Sequence, residues 1–600
     1  MTYSITGIQA GITDTIPIRR DVDEWYCGQI GAHSNRIQLT LFVEALNAIQ
    51  RLPLSDEKSY FRLAGIHAAP WTEWDGVGPQ ENDGFCVHND YTFPTWHRVY
   101  VALFEQVLYE AMIQFITGSL GVPEGVKQEW RKEAEQWRLP YWDFARFSRT
   151  ERDGTGEQSQ SAGGRELRLP VLAMIPQVKV RKIGSDPPEL EYRPNPLYKF
   201  QMTMPMGQLE DPFKITSQRT DGIPFDQCMA TTKYGLLEGH HADVLADGGQ
   251  HWSRVNIALN EHPWCGSIAA GSASNPTLQE LTYRLLTSRS HSWGDFSSTR
   301  SNETGDQSKP EKWLNLEGIH NNIHGFSTSA PIRRIGSSGA PAIWPMSTSL
   351  RSTRFSGYTT GKLWHSNIDR LTAIWQRLNP QKWFEDEESK LTLKKELIPF
   401  HKDDGTLYTS GDLQDWRKLG YEYEITKGED VDNNTWIDVR KLYGKTTQKL
   451  YEDESIDKDY ILVVRYDRYA LRGKPFLINI FLGDVDREDF YDAGSPHFVG
   501  SIYSFSSPLD DSRCSNCIEQ QKNGVLSVSL LPATLVVKNR DVDVKKLFYV
   551  AIDSQGKSVN GEVQVKVTLF KAPRPYYDAP GDGGNDYENI ADGAPAQVDY

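Results

Sequence analysis

Cysteine is scarce, six residues in 600, too few for the disulfide framework of a small secreted scaffold. Long apolar runs are also missing. No stretch reaches the roughly eighteen consecutive apolar residues of a spanning helix, so no membrane passage is expected. Positive charge is in deficit, with 65 Lys and Arg against 80 Asp and Glu and a formal net charge of −15. A chain of that sign, without a basic stripe, is not built to hold nucleic acid. The opening Met1-Thr2-Tyr3-Ser4-Ile5-Thr6-Gly7 has neither the basic nor the apolar section of a signal peptide. An intracellular resting place is therefore expected, with a cell-wall-associated or secreted form left open. What remains is a large acidic chain whose length allows up to about four domains.

Histidine is where the chemistry lies. Six of the 14 histidines fall into two sets of three: His67, His88 and His97, then His320, His324 and His365. Imidazole suits copper, zinc, iron and nickel, and two three-coordinate sites leave open positions for a bridging ligand. In Glu317-Gly318-Ile319-His320-Asn321-Asn322-Ile323-His324 the two histidines are four apart, so a helix puts both rings on one face. Glu317 and Asn321 share a face for the same reason. His365 opens a run to Gln376 with helical apolar spacing and no breaker. In the first set, His67 follows the apolar run Phe61–Ile66, and His88 sits in a loop-like Gly84–Asp90. His97 follows Pro94, which marks a helix start, and the continuation Val99–Leu108 is apolar enough to be buried. A ring so early in a buried helix must find a partner, and a metal would supply one. Taken alone, the His320/His324 pair also fits two rings on a partly exposed helix face.

Four segments then carry a resemblance. They are Phe93-Pro94-Thr95-Trp96-His97-Arg98 with Phe104-Glu105, Leu139-Pro140-Tyr141-Trp142-Asp143, Glu317 to His324, and His365-Ser366-Asn367-Ile368-Asp369-Arg370. Together they resemble the tyrosinase family of binuclear type 3 copper proteins, over residues 1–425. The resemblance implies a mainly α catalytic domain whose four-helix bundle carries two copper ions. His67, His88 and His97 would hold copper A, and His320, His324 and His365 copper B. O2 would be the co-substrate, and phenols and catechols would leave as o-quinones, as in melanin formation. Glu317 with Asn321 would hold the water that takes the phenol proton; alternatively Glu317 only hydrogen-bonds a ligand histidine. Cys86, two residues before His88, matches the Cys-x-His of fungal and plant members that bear a thioether, while a buried free cysteine is the plainer alternative. Gly420-Tyr421-Glu422-Tyr423 resembles the Tyr-x-Tyr that closes the family's catalytic domain.

Two departures matter. Trp364 replaces the first of the paired histidines usual at the second site, and Tyr358-Thr359-Thr360-Gly361 replaces Asp-Pro-x-Phe. Gly361 would open the substrate mouth unless another aromatic such as Phe355 fills it. A catechol oxidase or o-aminophenol oxidase shares every ligand. A hemocyanin-like oxygen carrier does too, although carriers of this family usually string many units together.

Within the first 425 residues, Arg149–Arg165 and Thr287–Pro310 are polar insertions. Residues 426–459 are strongly charged and are expected to be a linker open to a protease. Residues 460–575 hold β-rich runs and are expected to form a small β-sandwich. Residues 576–600, acidic and rich in Gly and Pro, are expected to be a disordered tail. By the resemblance, the β-rich domain shields the active site until an activating protease removes it, with an aromatic side chain near the coppers. Phe505 is the candidate for that placeholder and Tyr503 the second, with core packing open for both. Cys514-Ser515-Asn516-Cys517 suits zinc poorly without further ligands; a loop disulfide, redox-active thiols or a copper-loading site remain. Partners are small phenols, O2 and the protease, and a homo-oligomer is left open.

Overall fold

The structure is a computed structural model that describes residues 2–31, 34–67, 72–78, 85–147, 167–214, 229–231, 233, 250, 252–261, 277–301, 309–328, 358–428, 431–452, 456–474, 476–486, 490, 495, 497–504, 515–539, 543–553, 557–576 and 586–597. At its centre lies the 26-residue helix Phe93–Gly118, with Pro94 in its first turn and Phe93 to Glu105 buried without a break. By length and composition alone this helix could cross a membrane, although Arg98, Glu105 and Glu110 interrupt its apolar run. Most of it is covered by the rest of the fold, which makes it the core helix. Ile37–Arg51 and Tyr358–Leu378 pack along it. Leu316–Thr328 completes the bundle, its His320 meeting His365 of Tyr358–Leu378.

Buried charge ties the bundle together. Asp369 accepts from Arg98 Nε at 2.5 Å, Arg19 Nη1 at 3.0 Å, Tyr421 at 2.5 Å and Tyr423 at 2.7 Å. Arg19 also reaches Glu105 at 2.9 Å and lies 3.4 Å above the Tyr421 ring. The two arginines, Asp369 and Glu105 are fully buried, so two cations and two anions balance where water cannot. Burial works against ionisation of Asp369, but Arg98 and Arg19 hold its carboxyl below the usual range. The Tyr-x-Tyr segment thus clamps the helix that bears His365 to the helix that bears His97.

Two sheets follow. One runs Glu588–Asp592, Val565–Ala572, Asp459–Tyr466, Leu526–Pro532 and Arg300–Ser301, antiparallel throughout. The other runs Phe498–Tyr503, Leu477–Leu482, Leu547–Ile552 and Ala594–Pro595, its last pair parallel. The strand Arg300–Ser301 comes from the Thr287–Pro310 insertion, which is not a plain loop. It also forms the helix Trp293–Ser297 under a Ser292/Asp295 capping box.

Two other expectations are corrected. Most of residues 426–459 is a folded helix, Val431–Tyr451, packed on Thr277–Thr287 and Tyr358–Leu378. Its buried face is Thr435, Val439, Tyr443, Thr446, Thr447 and Leu450, a helical stripe built on threonine and tyrosine rather than aliphatics. Within 576–600, Glu588–Asp592 and Ala594–Pro595 add edge strands to both sheets. Backbone pairing there outweighs the unfavourable composition. Asp459 joins these parts: it pairs with Arg284 at 2.7 Å and accepts from Tyr451 at 2.7 Å, Thr534 at 2.7 Å and Tyr587 at 2.6 Å.

Candidate metal centre

Five of the six predicted histidines meet in one cluster, and the sixth lies on one of its helices. His67 follows the short helix Tyr60–Gly65, which Tyr100 ties to the core helix by donating to Leu63 O at 2.9 Å. The Tyr100 ring stacks on His67, centroids 5.8 Å apart. His97 sits one turn into the core helix, and His88 on the turn just before it. His320 and His365 come from the two facing helices. Ring centroids are 5.4 Å apart for His67 and His97, 5.7 Å for His88 and His97, and 5.1 Å for His320 and His365. The two sets also touch, with His97 and His365 at 4.9 Å. His324 lies on the helix Leu316–Thr328, its side chain outside the described residues.

The donor atoms converge as metal ligands do. One nitrogen from each of His67, His88, His97 and His320 lies within 4.8 Å of the others. The tautomers are set from behind. His97 Nδ1 donates to Phe93 O at 2.8 Å, and His320 Nδ1 to Asn321 Oδ1 at 3.1 Å, which makes Nε2 the unprotonated nitrogen of both rings; it faces His67 Nε2 at 3.3 Å in the first and His365 Nε2 at 3.0 Å in the second. Burial pushes His67, His88 and His97 well below the usual histidine range and His320 down to about 3. All four rings are therefore neutral at ordinary pH, and that cluster contains no carboxylate. An all-imidazole set of neutral donors fits copper well.

Glu317 is fully buried and fully engaged. Oε1 accepts from Asn89 N–H at 2.7 Å, and Oε2 from Thr299 N–H at 3.0 Å and Ser298 Oγ at 3.1 Å. Arg468 Nη1 stands 3.5 Å from Oε1. Cys86 Sγ lies 3.5 Å from His88 Nδ1 and 4.0 Å from its Nε2, and 3.8 Å from His97 Nε2. Burial and then Glu317 push its thiol well up. Trp364 is buried, packing on Trp142 at 6.4 Å and on His365 at 5.5 Å, so it is a core ring. Gly361 lies in the helix Tyr358–Leu378, while Phe355 is outside the described residues. Tyr503 is buried at the end of Phe498–Tyr503, a strand that packs against the His320 helix. Phe505 and Cys514 lie outside the described residues; Cys517 is on the helix Ser515–Lys522, its side chain outside them.

Sequence reading missed three groups. Asn89 adopts φ +54°, in the left-handed region that asparagine tolerates, and its place in a loop beside His88 was the available signal. Gln520, from the C-terminal region, bonds to the His88–Asn89 turn and had no sequence signal at all. Lys362 is buried with Nζ over the Tyr100 ring; burial pushes its ammonium well below the usual lysine range.

Residues 57–378 match the family model for the common central domain of tyrosinase, and residues 459–553 the one for the tyrosinase C-terminal domain. A tyrosinase of Aspergillus fumigatus is 39% identical over 567 residues, which span 90% of this chain and 85% of the relative. The crystal structure of melB apo-protyrosinase from Aspergillus oryzae is similar at a TM-score of 0.84 and 48% identity, covering 100% of this chain and 98% of that one. The holo-protyrosinase of the same organism is equally similar, with a TM-score of 0.84, 48% identity, and coverage of 100% of this chain and 99% of that one.

Proposed function

The chain belongs to the tyrosinase family, and on that premise we propose that it is a latent copper enzyme that hydroxylates monophenols and oxidises o-diphenols to o-quinones with O2. The observation that carries the reading is the convergence of uncharged imidazoles, with no carboxylate among the four clustered donors. His67, His88 and His97 would hold copper A; His320, His324 and His365 would hold copper B. The copper pair, when bound, supplies the O2 site and accepts the electrons that the phenol gives up. Phe93, 4.9 Å from His320 and 4.5 Å from His97, packs against both sets. Asn321 orients His320.

Latency follows from where the C-terminal domain docks. Arg468 reaches Glu317, and Gln520 reaches the His88–Asn89 turn. We assign phenol deprotonation, through a held water, to Glu317 with Asn321 once that domain has left. Its departure would remove Arg468 and loosen Thr299, whose carbonyl accepts from Val528 N–H at 2.9 Å. Phe505, or Tyr503 of the same run, would be the aromatic placeholder, and Cys514 and Cys517 a copper-loading site. A central domain, a β-rich C-terminal domain that takes in the strands as far as Pro595, a cut outside the folded helix Val431–Tyr451, an intracellular resting place and melanin-type pigment as product complete the proposal. A second reading, oxidation of diphenols only, is favoured by the saturation of Glu317, which leaves no oxygen for a water.

The test is O2 uptake by copper-loaded protein, before and after brief proteolysis, with a monophenol and with a catechol. Uptake with both after clipping supports the first reading, and uptake with catechol alone selects the second. Reversible O2 binding without turnover overturns both. Asn321→Gly is expected to lower monophenol turnover more than diphenol turnover; equal losses refute a role for Asn321 in the proton route.

A further inference from the structure

Gln520 stands 431 residues from Asn89 in sequence and against it in space. It is buried on the helix Ser515–Lys522, and every hydrogen-bonding position of its amide is used. Nε2 donates to His88 O at 3.2 Å and to Asn89 O at 3.0 Å. Oε1 accepts from Asn89 Nδ2 at 2.9 Å and from Tyr469 OH at 2.7 Å. Asn89 Oδ1 in turn accepts from Thr299 Oγ1 at 2.9 Å and Ser527 Oγ at 3.3 Å. The left-handed turn that carries His88 is thus gripped from the C-terminal domain by Gln520 and Ser527, and from the central domain by Glu317 and Thr299.

The other rings of that set are held, among the described residues, by contacts within the central domain. His97 is fixed within the core helix and by Phe93 O, and His67 by the end of its own helix and the Tyr100 ring. We propose that Gln520 is a positioning residue for His88, so that the C-terminal domain helps to assemble the first metal site as well as covering it. The inference rests on reading His88 as a copper ligand. Its consequence is asymmetric: losing the Gln520 amide weakens one metal position and leaves the other intact. Side chains and backbone groups that orient ligands from behind change metal affinity by about 10- to 100-fold when removed.

The test uses the full chain with Gln520→Ala and with the nearly isosteric Gln520→Glu, which turns a donor to two carbonyls into an acceptor. The metal-free protein is titrated with Cu(I) against a competing chelator, and hydrogen exchange is followed by peptide. We expect one of two copper affinities to fall by about 10- to 100-fold and the other to hold. Exchange should accelerate in residues 85–92 and stay unchanged in 358–378. Unchanged affinities with unchanged exchange overturn the proposal. So do equal losses at both sites with faster exchange through 459–466 and 547–552, which would mark a merely structural residue. If the parent chain binds no copper, the metal reading fails separately. Exchange at 85–92 then still decides whether Gln520 holds the turn: localised acceleration supports it, and none overturns it.

Discussion

Replacing Asp369 by Asn should cost far more than an ordinary buried polar change. The Asp369 carboxylate compensates Arg98 at 2.5 Å and Arg19 at 3.0 Å, and all three side chains are fully buried. Arg19 keeps Glu105 in the variant, at 2.9 Å. Arg98 keeps only neutral acceptors, Leu413 O at 2.7 Å and Gln376 Oε1 at 2.9 Å. It becomes a buried cation without a counter-charge, for which about 3–5 kcal/mol is the usual penalty. Asparagine can still accept from Tyr421 and Tyr423, so the loss is mainly electrostatic. The assay is urea unfolding of the metal-free central region, followed by tryptophan fluorescence, for Asp369→Asn, Arg98→Met and the double variant. The double removes both charges and should recover a large part of the single loss, giving a coupling energy of at least about 2 kcal/mol. A loss below about 1 kcal/mol for Asp369→Asn, or simple additivity in the double, would refute the view that this hub holds the histidine helices in register.

Further predictions concern protons, sulfur and proteolysis. His320 has a folded pKa of about 3 against about 6.5 when unfolded, so between those values the unfolded chain binds the proton and stability falls as pH drops. At pH 5 the loss from this ring is about 2 kcal/mol relative to neutral pH, and His320→Gln should flatten the metal-free pH dependence by that amount; an unchanged slope counts against the buried neutral ring. With Cys86 Sγ 3.5 Å from His88 Nδ1, copper-loaded protein held under O2 should yield a joined Cys86–His88 peptide two hydrogens lighter. Cys86→Ala must lack it, and its absence from the parent would rule the thioether out. Limited proteolysis should leave 434–450 uncut, since one face of that helix is buried; cleavage there in the native state would contradict the packing.

The histidine cluster could be read from sequence because its pieces are local. His320 with its helix neighbours, the Pro94 helix start and the His365–Arg370 run declare themselves by spacing within a turn or two. Asp369 and the Tyr-x-Tyr segment needed the fold to become partners, 52 and 54 residues apart. The helix Val431–Tyr451 was hidden by its own chemistry. Its buried stripe is mostly threonine and tyrosine, and it includes Gly444, where a Cβ would stand 3.2 Å from the Tyr283 ring. There the glycine marks close packing, while in sequence it looks like a break. Edge strands such as Glu588–Asp592 leave little trace in composition, because they bond through the backbone and keep polar side chains outward. Gln520 could not be found at all, since a single amide meeting a turn 431 residues away has no periodicity. Glu317 stood out in the sequence, but its bonds to Asn89, Ser298 and Thr299 join central-domain segments 18 to 228 residues away, a meeting that only the fold provides.

The most direct test of the dicopper reading is the metal content of the full chain after reconstitution and exhaustive dialysis. We expect two copper ions per chain, with His97→Ala and His320→Ala each losing at least one. No bound copper, a single ion lost equally in both variants, or zinc retained in preference to copper would contradict it.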